Sequence, residues 1–154
     1  MEISDLLTPA SVIARLKSTS KKQALQELSQ RAAKISGLSE RQVFGVLLER
    51  EKLGSTGVGQ GVAIPHGRIA GLTRLYGVFA RLDQPIDFEA VDDQPVDLIF
   101  LLLAPEGAGA DHLKALARVS RLLRDKAMCE RLRGADDPEA LYALLTEAAQ
   151  SHAA

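Results

Sequence analysis

The chain has 154 residues, of which 46% are hydrophobic and 25% are charged, and its 19 basic side chains nearly balance its 20 acidic ones. This length is enough for one domain to bury a stable core, and the single cysteine, Cys129, excludes a disulfide framework or a four-cysteine zinc site. The lack of long like-charge runs and the scarcity of aromatic residues argue against a protein that binds nucleic acids or membrane surfaces.

The sequence carries no signal for membrane insertion or secretion. Its longest apolar run, Leu98 to Ala104, is far too short to span a bilayer, and its N-terminus has no basic and then apolar leader, so a cytoplasmic protein is expected. No repeat or long linker divides the sequence, so residues 1–150 are predicted to form one domain, followed by a disordered tail at 151–154. Cys129 lies in a helical stretch and is predicted to be a small buried hydrophobe rather than a reactive thiol.

The first third of the chain is predicted to form a short strand, Val12 to Leu16, and two helices. The sequence from Ser20 to Gln23 fits a capping box, and its helix is expected to end at Gly37. Ser39 begins the second helix in the same way, and Arg50 lies in the last turn of that helix. The residues of the two helices that are predicted to face the core are Leu25, Leu28, Ala32, Ile35, Val43, Val46 and Leu47.

Strands and helices alternate in the rest of the chain as well. After a glycine-rich loop and a short extended piece, Gly61 to Pro65, the runs Leu75 to Leu82 and Val96 to Leu103 are predicted strands covered on both faces. Asp111 is predicted to cap a third helix, and Asp137-Pro138 to start a terminal one after a short helical piece around Cys129. The third helix is predicted to bury Leu113, Leu116, Ala117 and Leu123. These elements predict an α/β fold, a single-domain sandwich in which helices flank both faces of a mixed β-sheet.

The stretch GSTGVGQGVAIPHGR, from Gly54 to Arg68, is the most informative part of the sequence. It is not a P-loop, because no Lys-Ser or Lys-Thr pair follows the glycines and no helix opens there. It is not a dinucleotide fingerprint either, because the glycines are spaced G-x-G-x-G and a helix precedes them. On the glycines alone, a tight connection between a helix and a strand remains an alternative interpretation.

His66 is presented in an unusual way within this stretch. Pro65 fixes its own backbone and favours extended geometry before it, and Gly67 is expected to leave room for another molecule to approach. An imidazole held in this way can be a base, a metal ligand or a nucleophile. Metal ligation is disfavoured, because His112 is the only other credible ligand histidine and the motif contains no carboxylate.

The run LLEREKLGSTGVGQGVAIPHG closely resembles the type 2 IIA proteins of the bacterial phosphoenolpyruvate-dependent phosphotransferase system. The family motif has an acidic or amide residue, here Glu51, then aliphatic-Gly, then aliphatic-Ala-aliphatic-Pro-His-Gly, which Val58 to Gly67 meets in full. The resemblance continues through PIDFEAVDDQPVDLIFLLLAP and DHLKALARVSRLL to LYALL. The DDQPVDLIF segment and the single-domain length resemble the nitrogen-regulatory branch of the family.

The resemblance implies a role for three residues. His66 would accept a phosphoryl group on Nε2 from a phosphorylated histidine carrier protein, while its Nδ1 bonds internally. Arg50 and His112 would stabilise the phosphoryl oxygens, and no cofactor or metal would be needed because the donor is already activated. Ser55 and Thr56 are candidate hydroxyl donors to the same group.

Two functions share this first step. One is a regulatory protein of the nitrogen type, whose phosphorylation changes its binding to a target protein. The other is a sugar-specific IIA component that passes phosphate from His66 to a cysteine of a IIB protein during carbohydrate uptake. If the resemblance misleads, a small α/β domain that binds anions remains.

Overall fold

The computed structural model describes residues 1–153, with side chains up to Glu147. In chain order, the helices and strands are β1 (Val12–Leu16), α1 (Lys21–Ser36), α2 (Glu40–Lys52), β2 (Gly57–Gly59), β3 (Val62–Ala63), β4 (His66–Ile69), β5 (Tyr76–Ile86), β6 (Val96–Pro105), α3 (Ala110–Arg124), α4 (Lys126–Gly134) and α5 (Pro138–Ala153). The predicted disordered tail, 151–154, lies outside the residues whose side chains are described, so it stays a prediction. Within the described part of the chain, no helix combines the length and the apolar character needed to cross a membrane.

The strands form one mixed sheet around β6. β6 runs antiparallel to β5 and parallel to β3 and β4, while β1 pairs in parallel with the outer side of β5 and β2 pairs antiparallel with β3. β3 and β4 lie one after the other along the same side of β6, opposite Leu98–Ile99 and Leu102–Pro105 respectively. The break between them is Ile64-Pro65, so His66 is the first residue after an interruption in an otherwise continuous line of pairing.

Helices cover both faces of the sheet, which confirms the predicted fold class. On one face, α3, α4 and α5 pack on residues such as Leu98, Phe100 and Leu102, and on the other face α1 and α2 pack on Ile99 and Leu101. Each of these five β6 side chains is fully buried. The near-continuous apolar run therefore has the expected cause, since both faces of this strand must exclude water.

The first two helices begin and end where predicted, but their capping boxes are only half formed. The Ser20 hydroxyl accepts from the Gln23 backbone N–H and α1 ends at Gly37, whose φ of 78° is left-handed. The Gln23 side chain accepts from Thr19 N–H instead of returning to Ser20. Ser39 caps α2 similarly, while the Gln42 side chain donates to the Ala70 carbonyl, so tertiary contacts compete with the local motif.

The predicted face of α3 is wrong by about one residue. Its N-cap is Gly109, which places Asp111 inside the first turn without a capping bond. Leu113 is 65% exposed and Ala117 is also exposed. The residues that α3 does bury are His112, Ala115, Val119, Leu122 and Leu123. The helix is turned so that His112, Ala115 and Val119 face inward instead of Leu113 and Ala117. Of the four predicted residues, Leu123 is buried and Leu116 packs against the core.

Two further predictions have clear outcomes. β5 continues beyond its predicted end at Leu82 to Ile86, and Pro85 is tolerated because the pairing with β6 is irregular between Arg81 and Ile86. Cys129 is buried and its thiol donates to the Leu123 carbonyl, while burial raises its pKa. The structural interpretation of this cysteine is therefore confirmed.

Candidate functional site

The G-x-G-x-G repeat forms a β-hairpin. β2 and β3 are joined by Gln60 and Gly61, whose φ angles of 58° and 81° are both positive, as in the two-residue turns that suit a twisted hairpin. A Cβ on Gly57 would come within 2.9 Å of the Ala90 backbone, and one on Gly61 would come within 2.5 Å of the Arg133 guanidinium. The glycines therefore allow Ala90 and Arg133 to pack closely against the hairpin. Its second strand, β3, ends at Ala63, just before Pro65 and His66.

His66 is held by its own backbone. Its Nδ1 lies 2.8 Å from the carbonyl oxygen of Ile64, which can only accept, so Nδ1 carries a hydrogen and donates it. In the neutral ring, Nε2 therefore keeps a free lone pair. The side chain is partly buried, and the bond to Ile64 fixes the orientation of the ring. The internal bond expected for Nδ1 is present.

Glu51 secures the hairpin that leads to this histidine. Its carboxylate accepts from the Thr56 backbone N–H at 3.0 Å and from the Thr56 hydroxyl at 2.6 Å. Lys21 of α1 pairs with the same carboxylate at 3.0 Å, and the two side chains are only 16% and 6% exposed for Lys21 and Glu51. The Thr56 carbonyl in turn accepts from Ile64 N–H. A chain of hydrogen bonds thus runs from a buried ion pair to the ring of His66.

The same bonds overturn the hydroxyl donors suggested by the sequence. The Thr56 hydroxyl donates to Glu51, and the Ser55 hydroxyl donates to the Phe88 carbonyl at 2.8 Å. Both hydroxyl hydrogens are committed to the protein because the loop needs them for its own conformation. Ser55 and Thr56 are therefore structural.

Arg50 reaches His66 from the last turn of α2. Its Nε lies 3.4 Å from His66 Nε2, and its Nη1 donates to the Gly54 carbonyl at 3.0 Å. The room expected beside Gly67 for an incoming molecule is instead filled by this helix, since a Cβ on Gly67 would overlap Cγ1 of Val46. Gly67 thus allows α2 to lie directly against β4, which brings the guanidinium to the imidazole.

His112 approaches His66 from the first turn of α3. The two ring centroids are 5.8 Å apart with an interplanar angle of 67°. His112 is 6% exposed, and its Nδ1 accepts from Nε of Arg68 at 3.2 Å. Because Nδ1 is an acceptor, the hydrogen of the neutral ring lies on Nε2. Among the described residues, this Nε2 is the one buried side-chain polar atom without a partner.

Sequence reasoning found His66, Arg50 and His112, which the fold brings together, but it missed Arg68. A usable signal was the strand itself, because residues two apart in a strand lie on the same face. Arg68 follows His66 by two residues in β4, so both side chains point towards the face on which α3 begins.

Electrostatics keeps both rings neutral near neutral pH. Burial lowers the pKa of His66, and the nearby charge of Arg50 lowers it further, against the bond to Ile64 and the charge of Glu51. Burial also lowers the pKa of His112, with additional contributions from His66 and Arg68. The site therefore combines an imidazole whose Nε2 lone pair could act as a nucleophile with two donors suited to oxyanions, the Arg50 guanidinium and the His112 Nε2–H.

Residues 5–148 match the protein family described as "Phosphoenolpyruvate-dependent sugar phosphotransferase system, EIIA 2". The chain belongs to this EIIA family. The EIIA chain is 61% identical to a nitrogen regulatory protein of Bradyrhizobium diazoefficiens over 94% of this chain and 95% of that one. It is 45% identical to the nitrogen regulatory protein of Escherichia coli, over 96% and 91% of the two chains.

Solved structures agree with this assignment of the EIIA chain. The crystal structure of nitrogen regulatory protein IIA-Ntr from Neisseria meningitidis matches with a TM-score of 0.89 and 41% identity, over 94% of this chain and 99% of that one. IIA mannitol from Escherichia coli matches with a TM-score of 0.77 at 22% identity, over 90% and 98%, and shows the shared fold alone. The predicted resemblance to the nitrogen-regulatory branch is therefore confirmed.

Proposed function

We propose that this EIIA protein is regulatory, and that it accepts a phosphoryl group on Nε2 of His66 from a phosphohistidine carrier protein. The observation that carries the proposal is the orientation of the ring. Nδ1 donates to the Ile64 carbonyl, so the lone pair of the neutral ring is on Nε2, where Arg50 Nε lies 3.4 Å away. The ring packs against that of His112, whose Nε2 has no partner among the described residues.

The transfer step follows from these contacts. The Nε2 lone pair attacks the phosphorus, and the new nitrogen–phosphorus bond forms as the bond to the carrier's imidazole breaks. That imidazole, protonated on its other ring nitrogen, takes the electron pair and leaves as a neutral ring, while His66 keeps its Nδ1 hydrogen. Arg50 exchanges its 3.4 Å contact with Nε2 for the phosphoryl oxygens, which its planar guanidinium can bind at two points. Positioning and charge stabilisation are the main demands of such a transfer.

Regulation is proposed because the surface near His66 suits a protein partner that senses charge. Leu53, Val58 and Leu113 are 84%, 52% and 65% exposed, and they adjoin in the chain α2's last turn, the hairpin and His112 respectively. Phosphorylation of His66 would add nearly two negative charges to the site whose elements these exposed apolar residues adjoin in the chain. A partner selected for the neutral form would then be repelled. The names of the nitrogen regulatory relatives also support a regulatory function. Action in the cytoplasm, predicted from the sequence, is part of this proposal.

A sugar-specific function is the second candidate. A fructose-specific EIIABC component of Bacillus subtilis is 33% identical over 96% of this chain, although the match covers 23% of that protein. If this chain has the same kind of function, it would pass the phosphoryl group from His66 to a cysteine of a IIB protein.

The test of acceptance is incubation with phosphoenolpyruvate and the general phosphotransfer proteins, followed by intact mass. The parent should gain one phosphoryl group in a bond that is labile to acid and stable to alkali, and His66→Ala should gain none. Undiminished labelling of His66→Ala would refute the assignment.

A second test separates the two functions. His66→Asp, which carries one negative charge, should bind a regulatory target selected for the neutral form less tightly than the parent does, and unchanged binding would contradict the regulatory proposal. Efficient passage of phosphate from His66 to the cysteine of a sugar-specific IIB protein, with sugar phosphorylation restored in the rebuilt pathway, would favour the transport function instead.

A further inference from the structure

Arg68 and His112 form a contact that the transfer step does not use directly. Arg68 lies in β4 opposite Ala104 of β6, and its Nε donates to His112 Nδ1 across 44 residues of sequence. This hydrogen bond therefore connects β4 to the first turn of α3 beside the site. The other ring nitrogen of His112, Nε2, is buried and has no partner among the described residues.

We infer that Arg68 is a positioning residue, whose bond to Nδ1 holds His112 as the Nε2–H tautomer so that this hydrogen is available to a phosphoryl oxygen on His66. The effect of Arg68 on phosphoryl transfer rests on the proposed function, whereas the tautomer of His112 can be observed without phosphorylation.

Arg68 determines which nitrogen of the neutral His112 ring carries the hydrogen. A guanidinium has five donors and no acceptor, so opposite Arg68 the Nδ1 atom can only be the lone pair. Without that donor, His112 could place its hydrogen on Nδ1 and turn a lone pair towards the phosphoryl oxygens, which would repel them. Such a partner of a functional histidine fixes its tautomer and orientation without touching the reacting atoms.

The position of Arg68 also explains why a buried donor without a partner is retained. A buried polar group without a hydrogen bond destabilises the fold, so most are satisfied or removed. No group among the described residues accepts from His112 Nε2–H. An oxygen on phosphorylated His66, whose ring lies 5.8 Å from that of His112, is a partner of the required chemistry. The positive charge of Arg68 also disfavours a second proton on the ring, in addition to the effect of burial.

Two variants separate positioning from simple loss of charge. Arg68→Met removes the donor, and Arg68→Gln removes the charge but keeps an N–H that can reach Nδ1. In ¹⁵N-labelled, unphosphorylated protein, long-range proton–nitrogen spectra should show His112 as the Nε2–H tautomer in the parent and in Arg68→Gln. The Nδ1–H tautomer should appear in Arg68→Met.

Rates of transfer from the phosphorylated carrier complete the test. Arg68→Met should be slower by about ten- to hundredfold, the usual scale for losing an orienting partner, and Arg68→Gln should recover most of that loss. Arg131→Met is the matched control, because Arg131 is exposed on α4 and forms no side-chain hydrogen bond within the described residues. Equal slowing of both Arg68 variants with an unchanged tautomer would mean that the charge acts in docking and would overturn the inference. Parental rates in Arg68→Met would overturn it as well. Labelling of His66→Ala would defeat the proposed function while leaving the tautomer result standing.

Discussion

Gly67→Ala is expected to separate α2 from β4 and thereby Arg50 from His66. Gly67 is not among the residues with positive φ, so alanine suits the backbone and the obstacle is the overlap of its Cβ with Cγ1 of Val46. Restoring an ordinary carbon–carbon contact requires the side chain or the helix to move by about 1 Å. Overpacking of this kind costs about 1–3 kcal/mol of the free energy of unfolding.

The same movement has a larger consequence for transfer. The Arg50 Nε to His66 Nε2 distance of 3.4 Å is already long for a hydrogen bond, so a further shift of α2 breaks it. A displacement of about 1 Å at a reacting centre can slow a reaction by about a hundredfold. Urea unfolding measures the stability change, and intact mass after rapid quenching measures the rate of phosphoryl uptake.

Two further variants test the cause. Val46→Ala removes Cγ1, so Gly67→Ala combined with Val46→Ala should be more stable than the sum of the single changes by about 1 kcal/mol, and should recover part of the rate. Gly45→Ala is the control, because Gly45 lies in the same helix with no atom within 4 Å of an added Cβ. It should be as stable as the parent or slightly more so, with unchanged transfer. If Gly67→Ala itself is as stable and as fast as the parent, the gap at Gly67 is not needed to bring Arg50 to His66.

Three other changes have defined outcomes. Arg50→Lys, which keeps the charge but loses the two-point contact, and His112→Ala should each slow phosphoryl uptake by about a hundredfold while urea unfolding shows an intact fold. Parental rates in both would mean that neither residue assists transfer. Glu51→Gln leaves Lys21 as an unpaired, largely buried charge and should lower the free energy of unfolding by about 3 kcal/mol, whereas an exposed ion pair would lose less than about 1 kcal/mol. Burial lowers the pKa of His66 and His112, so below the unfolded-state value of about 6.5 the unfolded chain binds protons first. Stability is therefore complete above that pH and falls as the pH drops towards the folded-state pKa values, by at most about 1.4 kcal/mol per pH unit for each histidine. Replacing both by asparagine should flatten the dependence between about pH 7 and pH 5, and an unchanged slope would contradict it.

Features that depend on neighbouring residues could be predicted from the sequence. Ser20 and Gly37 limit α1 because an N-cap hydroxyl and a left-handed C-terminal glycine act within one turn. The apolar run of β6 predicts a strand covered on both faces for a similar reason. His66 could be identified from its immediate neighbours, and the family resemblance added Arg50 and His112.

Features that depend on tertiary contact could not be predicted. The space beside Gly67 is filled by Val46 of α2. The hydroxyls of Ser55 and Thr56 donate to the Phe88 carbonyl and to Glu51, contacts that form only in the folded protein. The orientation of α3 was missed because His112, Ala115 and Val119 share its buried face with Leu122 and Leu123, while Leu113 is exposed. Arg68 follows His66 by two residues in a strand, which was a usable signal, but its contact with His112, 44 residues away in the sequence, could not be predicted.

The nitrogen that carries the phosphoryl group is the most direct test of the proposed chemistry. In ¹⁵N-labelled protein phosphorylated by the carrier, the two ring nitrogens of His66 can be distinguished, and phosphorus coupling identifies the one that is bonded. Because Nδ1 donates to Ile64 at 2.8 Å, the phosphoryl group should be on Nε2, with the Nδ1 hydrogen retained. A phosphoryl group on Nδ1 of His66, or on any other residue, would contradict the account.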